Sequence, residues 1–283
     1  MKKIRLSISL LLATVLLISS CTENVNTENE STQVTKKVDL DSENAAKLEV
    51  MMHANPLPNY MKLVLDNIEV LEIDEKQHQQ LLAISKEKSP QAVGMAKKVS
   101  EVEKKIFQSS LDNVEKEVLA KDFEESLELR TSLVTMKLDC RDQVLEILNE
   151  KQWNDLVVLY KEKMPFNNKT EMSALINHVN PLPNYMQMIR DGVIQLDEVQ
   201  DDKLSEWSGD NHARMMELAG TVDSLENDVY DLSLNNEPRE IILQKVAEIA
   251  SVKRQIVITK TDCRDNLISN ILSKEQWKEL SSK

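Results

Sequence analysis

The chain has 283 residues and a formal net charge of −13, an acidic balance that disfavours nucleic acid and anionic lipid as partners because like charges repel. It contains only four glycines and 4% aromatic residues, while Leu, Glu, Lys, Gln and Met abound. This composition, without any strand-like pattern, predicts an all-α protein built from long amphipathic helices.

The first 20 residues have the pattern of a secretory signal peptide. Lys2, Lys3 and Arg5 precede an apolar run that is too short to cross a bilayer and ends in small residues. The sequence Ile18-Ser19-Ser20-Cys21 resembles the bacterial lipobox, in which the cysteine becomes the lipid-bearing N-terminus after cleavage. The alternative is that Cys21 is an ordinary residue near a standard cleavage site.

Lipidation of Cys21 predicts an exported protein that acyl chains, rather than a helix, anchor to the cell envelope. Thr22 follows the cysteine where an aspartate would favour the inner membrane, so the periplasmic face of the outer membrane is the expected location. Residues 21–46 are too polar to offset their ordering entropy by burial. They are predicted to form a flexible tether with a span of roughly 25–30 Å.

The remainder of the chain is a tandem duplication. The sequence HANPLPNYM at 53–61 returns as HVNPLPNYM at 178–186, and a later DCRD at 139–142 returns at 262–265. Repeats of this kind indicate stacked or paired structural units. We therefore expect three segments after the tether, namely repeat one over 47–164, a linker over 165–176 and repeat two over 177–283.

Four helices are expected in each repeat. In repeat one the sequence predicts a helix from Pro58 or Asn59 to about Leu71, one from Asp74 with a kink or an interruption at Ser89-Pro90, one from about Val114 to Leu148, and a short one from Asn149. The third helix carries Cys140 on its apolar stripe, and Cys263 has the equivalent position in repeat two.

Four short boxes resemble the degenerate LTxxQ motifs of the Spy and CpxP group of periplasmic proteins. In each repeat one box opens the long helical pair and the other opens the last short helix; the boxes are 73–77 (IDEKQ), 147–152 (ILNEKQ), 196–200 (LDEVQ) and 271–276 (ILSKEQ). The resemblance covers nearly all of both repeats after the NPLPNYM sequence.

This resemblance implies two tandem helical hairpin units of about four helices each, which form a pseudo-symmetric fused dimer. It also implies ATP-independent chaperone activity toward unfolded or envelope proteins, or envelope-stress sensing. Metal-resistance relatives imply, in addition, binding of a transition-metal ion. The HxNPLPNYM and DCRD sequences lie outside the general LTxxQ pattern.

Those extra sequences bring soft metal ligands into each repeat. A histidine, a methionine and a cysteine would suit copper(I) or an axially ligated haem better than magnesium or calcium. Repeat two also has an imidazole and two thioethers at i, i+3 and i+4, on one side of a helix. The candidate ligands are His53, Met61 and Cys140 in repeat one, and His178, Met186, His212, Met215, Met216 and Cys263 in repeat two.

A structural role is the alternative for each of these residues. Methionine commonly fills gaps in helical cores, and a histidine before a helix is often a capping or hydrogen-bonding group. The NPLPN sequence alone would stop one helix and direct the next. Convergence of the histidine, methionine and cysteine of a repeat within ligand distance would favour a site over a simple corner.

The two cysteines that remain after Cys21 occupy equivalent positions. If the duplication fused two subunits of a symmetric dimer, equivalent residues touch only at the pseudo-twofold axis. Cys140 and Cys263 would then form a disulfide or a shared ligand pair there, in an oxidising compartment. The alternative is that both are small buried apolar residues.

The sequence offers little support for catalysis. It has no glycine-rich phosphate loop, nucleophile elbow, HExxH or CxxC, so we do not expect an enzyme. The Arg-Asp pairs at 141–142 and 264–265 are predicted to form local ion pairs or dimer contacts. The expected function is that of a lipid-anchored chaperone or stress protein; the alternative is a copper-binding or haem-binding envelope protein that acts as buffer, sensor or electron carrier.

Overall fold

The structure, a computed structural model, describes residues 51, 53–163 and 178–282. All of them belong to one compact unit, Ala45–Lys283. The predicted signal peptide, Cys21, the tether and the linker lie outside the described residues. Within these residues no strand occurs, which confirms the all-α class, and no helix is both long and apolar enough to span a bilayer.

The two repeats follow the same order of helices. Repeat one contains α1 (Tyr60–Leu65), α2 (Glu75–Leu111), α3 (Lys116–Ile147) and α4 (Glu150–Lys163). Repeat two contains α5 (Tyr185–Arg190), α6 (Glu198–Leu234), α7 (Arg239–Asn266), a π-helical turn (Leu267–Ile271) and α8 (Lys274–Ser281). In each repeat the two long helices pack against each other as a hairpin, and α3 also packs against α7.

Two helix boundaries differ from the sequence prediction. The helix α2 is unbroken over 37 residues and continues through Pro90, whose ring is exposed. Water can satisfy the backbone groups that a proline frees on an exposed face, so the helix does not need to end there. The first helix ends at Leu65 rather than near Leu71. Just after this end, the side chain of Asn67 donates to the carbonyl of Leu63 at 2.7 Å and replaces a helical hydrogen bond.

The LTxxQ-like boxes close the base of each hairpin. Asp74 caps α2 by accepting from the backbone N–H of Gln77, and the side-chain oxygen of Gln77 accepts from the backbone N–H of Asp74. The amides of Gln77 and Gln152 then donate to each other at 2.8 and 3.0 Å, which joins the opening box to the closing box. Repeat two has the same pair, formed by Gln200 and Gln276.

The turn between the long helices of one repeat docks at the base of the other repeat. The hydroxyl of Tyr60 in repeat one donates to Ser233 Oγ of repeat two at 2.9 Å. The hydroxyls of Tyr185 in repeat two and Ser110 in repeat one form the equivalent hydrogen bond. Tyr60 and Tyr185 belong to the two NPLPNYM sequences. Their retention in both copies therefore has a structural reason.

The DCRD sequences form a second reciprocal contact. Arg141 donates to the carbonyl of Glu237 at 3.1 Å, and Arg264 donates to the carbonyl of Val114 at 2.9 Å. The aspartate that follows each arginine orients the guanidinium through an ion pair of 2.7 or 2.8 Å. These pairs are both the local ion pairs and the contacts between repeats that the sequence predicts.

Reciprocal contacts of this kind define an isologous interface inside one chain. At its centre the rings of His53 and His178 contact each other edge to face, with centroids 5.5 Å apart. The expected meeting of the cysteines at this axis is wrong. Cys140 packs against the apolar cluster around Tyr60 and Cys263 against the cluster around Tyr185, and both are free thiols.

We expect Arg264→Met to lower the free energy of unfolding by about 2–3 kcal/mol, because the carbonyl of Val114 loses a charged donor inside the interface. The matched control is Arg254→Met, which removes a half-exposed pair between the repeats and should cost about 0–1 kcal/mol. Urea denaturation of both variants measures the difference. Equal losses would show that Arg264 does not stabilise the interface.

Candidate ligand-binding pocket

The NPLPN corner of repeat two is fixed by its own polar groups. The side chain of Asn180 accepts from the backbone N–H of Leu182 at 3.0 Å, which forms a tight turn. The ammonium group of Lys260 on α7 donates a hydrogen bond to the carbonyl of Leu182 at 3.0 Å. Repeat one has the same bond between Lys137 and Leu57, at 2.6 Å. The corner therefore docks on the second long helix of its own repeat.

This corner sets the course of α5. Asn184 follows it and caps the helix by accepting from the backbone N–H of Gln187 at 3.3 Å. The helix is only six residues long, so its side chains stay close to the point where Lys260 holds the chain. Met186 on α5 consequently lines a cavity together with residues of α6 and α7.

The cavity has a volume of about 280 Å³ and gathers most of the soft ligands predicted in repeat two. Of the six candidates, five line it: Met186 from α5, His212, Met215 and Met216 from α6, and Cys263 from α7. We call this cavity the sulfur pocket. The sequence predicts the grouping on α6, and the fold adds Met186 and Cys263 from two other helices.

Burial changes the ionisation of two groups in the sulfur pocket. It raises the pKa of the Cys263 thiol to about 12, which leaves the thiol protonated at neutral pH. It also lowers the pKa of Lys260, which is only 7% exposed, to about 8. His212 is exposed at the mouth, whereas the three methionines and Cys263 are half-buried.

A second cavity of about 450 Å³ adjoins the sulfur pocket and shares Met186, Arg190 and Ser208 with it. Apolar residues of α5, of the segment after it and of α6 form part of its wall. Three carboxylates also line it, namely Asp197, Glu198 and Asp201. The two cavities together offer an apolar region beside a strongly acidic one.

The sixth candidate of repeat two lies elsewhere. His178 pairs with Glu226 at 2.8 Å, and Glu226 also binds the ammonium of Lys253 at 2.9 Å. Burial by itself would raise the pKa of Glu226, but Lys253 and His178 outweigh this effect and hold it below the ordinary value. His178 therefore stabilises a buried charge at the axis and does not reach the sulfur pocket.

His53 has the same role in repeat one. It pairs with Glu103 at 2.6 Å, and Arg130 binds the same carboxylate at 2.6 Å. Burial alone would raise the pKa of Glu103, but Arg130 and His53 outweigh it and lower the pKa. His53 therefore lies at the axis, paired with Glu103, and does not complete the predicted ligand set with Met61 and Cys140.

Repeat one also lacks the three ligands that repeat two carries on α6. Its residues at the positions of His212, Met215 and Met216 are Ser89, Ala92 and Val93. Met61 is only 6% exposed and packs in the apolar core, whereas its counterpart Met186 lines the sulfur pocket. Both repeats therefore share the scaffold, whereas the imidazole and the two thioethers at these positions of α6 occur in repeat two alone.

Trp207 is a pocket residue that the ligand argument misses, because tryptophan is not a metal ligand. It lines the sulfur pocket, and the equivalent residue of repeat one is Ile84. Comparing the repeats position by position would have found it. Its ring adds a broad apolar wall beside the methionines.

The sulfur pocket, with about 280 Å³, lies near the lower limit of the range of about 300–1,000 Å³ that is usual for pockets of cofactors and drug-sized ligands. Among the described residues, no group of three or more His, Cys, Asp or Glu side chains could hold a metal ion. A metal site in this part of the chain would depend on methionine.

The described residues define an all-α protein with a cavity lined by methionines and a cysteine. Comparison with known protein families, curated proteins and solved structures found no match for the chain.

We expect the protein to become more stable between pH 7 and pH 9. Burial lowers the pKa of Lys137 to about 7 and that of Lys260 to about 8, below the value of 10.5 for an unperturbed lysine. Above these values the folded state releases protons that the unfolded state still binds, so the free energy of unfolding rises by up to about 1.4 kcal/mol per pH unit for each lysine. The rise should end near pH 9, where the unfolded cysteines begin to ionise while burial keeps those of the folded state protonated.

Urea denaturation at pH 7, 8 and 9 measures this slope. Lys260→Met should reduce it, whereas replacement of the exposed Lys278 by methionine serves as the control. A stability that is constant or falls over this range would contradict the burial of the two ammonium groups.

Proposed function

We propose that the protein is a lipid-anchored envelope chaperone that binds segments of unfolded clients without ATP, as its resemblance to the Spy and CpxP group implies. The observation that supports this proposal is the pair of adjoining cavities in repeat two, one lined by methionines and Trp207 and the other by carboxylates. Such an arrangement suits a flexible chain better than a single rigid metabolite.

The sulfur pocket has the properties of an adaptable apolar binding surface. Methionine is unbranched and polarisable, so its side chain adjusts to partners of different shape. Trp207 adds flat apolar area at low cost in conformational entropy. A cavity of about 280 Å³ accepts one large apolar side chain at a time.

The charge of the protein determines which apolar segments it prefers. The adjoining cavity presents Asp197, Glu198 and Asp201, and the whole chain has a net charge of −13. Removal of the three basic residues with the signal peptide takes this charge to about −16. We therefore propose clients in which a large apolar residue is flanked by lysine or arginine, since the surface attracts them at long range and repels acidic chains.

The N-terminal region fits this activity. A tether over residues 21–46 would hold the folded unit clear of the lipid headgroups, because a flexible chain of this length spans roughly 25–30 Å. Lipidation of Cys21 would keep the chaperone at the membrane surface, where exported chains emerge unfolded.

The full-length chain should suppress the aggregation of reduced lysozyme, a basic client, at stoichiometric ratios without ATP. It should act less on reduced α-lactalbumin, which is acidic, and light scattering measures both. The variant W207I/M215A/M216V places the residues of repeat one in the sulfur pocket and should weaken suppression by several-fold. M215L/M216L keeps the apolar volume and should retain the activity.

Two results would contradict this proposal. The first is no suppression of either client at stoichiometric ratios. The second is equal suppression by the wild-type chain and by W207I/M215A/M216V, which would show that the sulfur pocket does not bind clients. Circular dichroism of each variant confirms that its helices are intact.

A further inference from the structure

We infer that the sulfur pocket is also a binding site for copper(I), with the thioethers of Met215 and Met216, the imidazole of His212 and the thiolate of Cys263 as ligands. Met186 supplies a further thioether from α5. The inference is independent of client binding, because it depends on sulfur and nitrogen donor atoms rather than on apolar volume.

The donor atoms in the sulfur pocket have the type and spacing that suit copper(I). Soft thioether and thiolate ligands select copper(I), and imidazole is compatible with it. His212, Met215 and Met216 lie at i, i+3 and i+4 on α6, so they project from neighbouring positions of one helix. Cys263 faces the same cavity from α7. The donors therefore come from separate helices and surround a common space.

Hard ligands are absent from the described lining of the sulfur pocket. The side chains described there include no carboxylate, although aspartate and glutamate line the adjoining cavity. Calcium and magnesium require oxygen ligands, most often carboxylates, so this pocket discriminates against them. Soft donors set apart from the acidic region are what selective binding of a monovalent soft ion requires.

The charges of the copper(I) ion and of the Cys263 thiolate balance each other. On binding, the S–H bond of Cys263 breaks, a copper–sulfur bond forms and the proton passes to solvent. The thiolate then cancels the charge of the copper(I) ion, so the pocket gains no net charge. The nearby cations Lys260 and Arg190 consequently do not oppose the complex as they would oppose a divalent ion bound to neutral ligands.

The two repeats differ in the donor atoms that they carry. Repeat one keeps Met61 and Cys140 but has Ser89, Ala92 and Val93 in place of the three ligands on α6. It therefore lacks the imidazole and two of the thioethers. One copper(I) ion per chain is the expected stoichiometry.

The test is a competition for copper(I). The full-length, fully reduced chain is added under anaerobic conditions to the coloured complex of copper(I) with bicinchoninate, and the loss of colour measures transfer. The wild-type chain should withdraw one equivalent. M215L/M216L and C263S should each weaken binding by about tenfold or more, since replacement of metal-site residues has effects of at least this size.

Matched controls separate the site from general sulfur chemistry. M61L/M188L removes two thioethers outside the sulfur pocket, and C140S removes the equivalent thiol of repeat one. Both controls should bind copper(I) as the wild-type chain does. X-ray absorption of the wild-type complex should show a mixed shell dominated by sulfur.

Three outcomes would overturn the inference: no withdrawal of copper(I), full binding by M215L/M216L and C263S, or an equal loss in C140S. The client assay distinguishes the two proposals. M215L/M216L should retain suppression of aggregation and lose copper(I), whereas a loss of suppression alone concerns only the proposed chaperone function.

Discussion

The structure depends on two leucines that cross from one repeat into the core of the other. Leu182 packs among Ile106, Leu119 and Phe123 of repeat one, and Leu57 packs among the equivalent residues of repeat two. A buried lysine holds the backbone carbonyl of each leucine. Full burial of a leucine contributes about 2 kcal/mol, and separating the repeats would expose both leucines together with the docked turns. Each of these two clusters therefore contains residues of both repeats, so neither is completed by one repeat alone.

The same constraint explains which residues stay identical between the repeats and which differ. The NPLPN corner, the tyrosines, the DCRD arginines and the paired glutamines all form contacts that hold the scaffold, so both copies retain them. His212, Met215 and Met216 of the sulfur pocket form none of these contacts. A change such as Ser89 to His212 between the copies leaves the scaffold intact, because both positions are exposed on a long helix. A ligand site can thus differ between two repeats that share one fold.

The contacts at the axis explain why both repeats carry this histidine. Glu103 and Glu226 are buried close to it, and a buried carboxylate is tolerated only with cationic or hydrogen-bonding partners. Arg130 and Lys253 supply the cations, and the two histidines complete the coordination of the carboxylates. The histidines are therefore retained for the interface, which is the structural alternative that the sequence leaves open.

Local pattern was sufficient for the all-α class, for the order of the helices and for the common side of His212, Met215 and Met216, because these depend on residues that are close together in the sequence. The contacts between residues far apart in the sequence were decided by tertiary packing, which no local periodicity encodes. Packing within repeat two brought Cys263 and Met186 to the sulfur pocket and took His178 to Glu226, and the fold left Cys140 and Cys263 in separate clusters. Even Pro90 follows this logic, since whether a proline ends a helix depends on which side of the packed hairpin it faces.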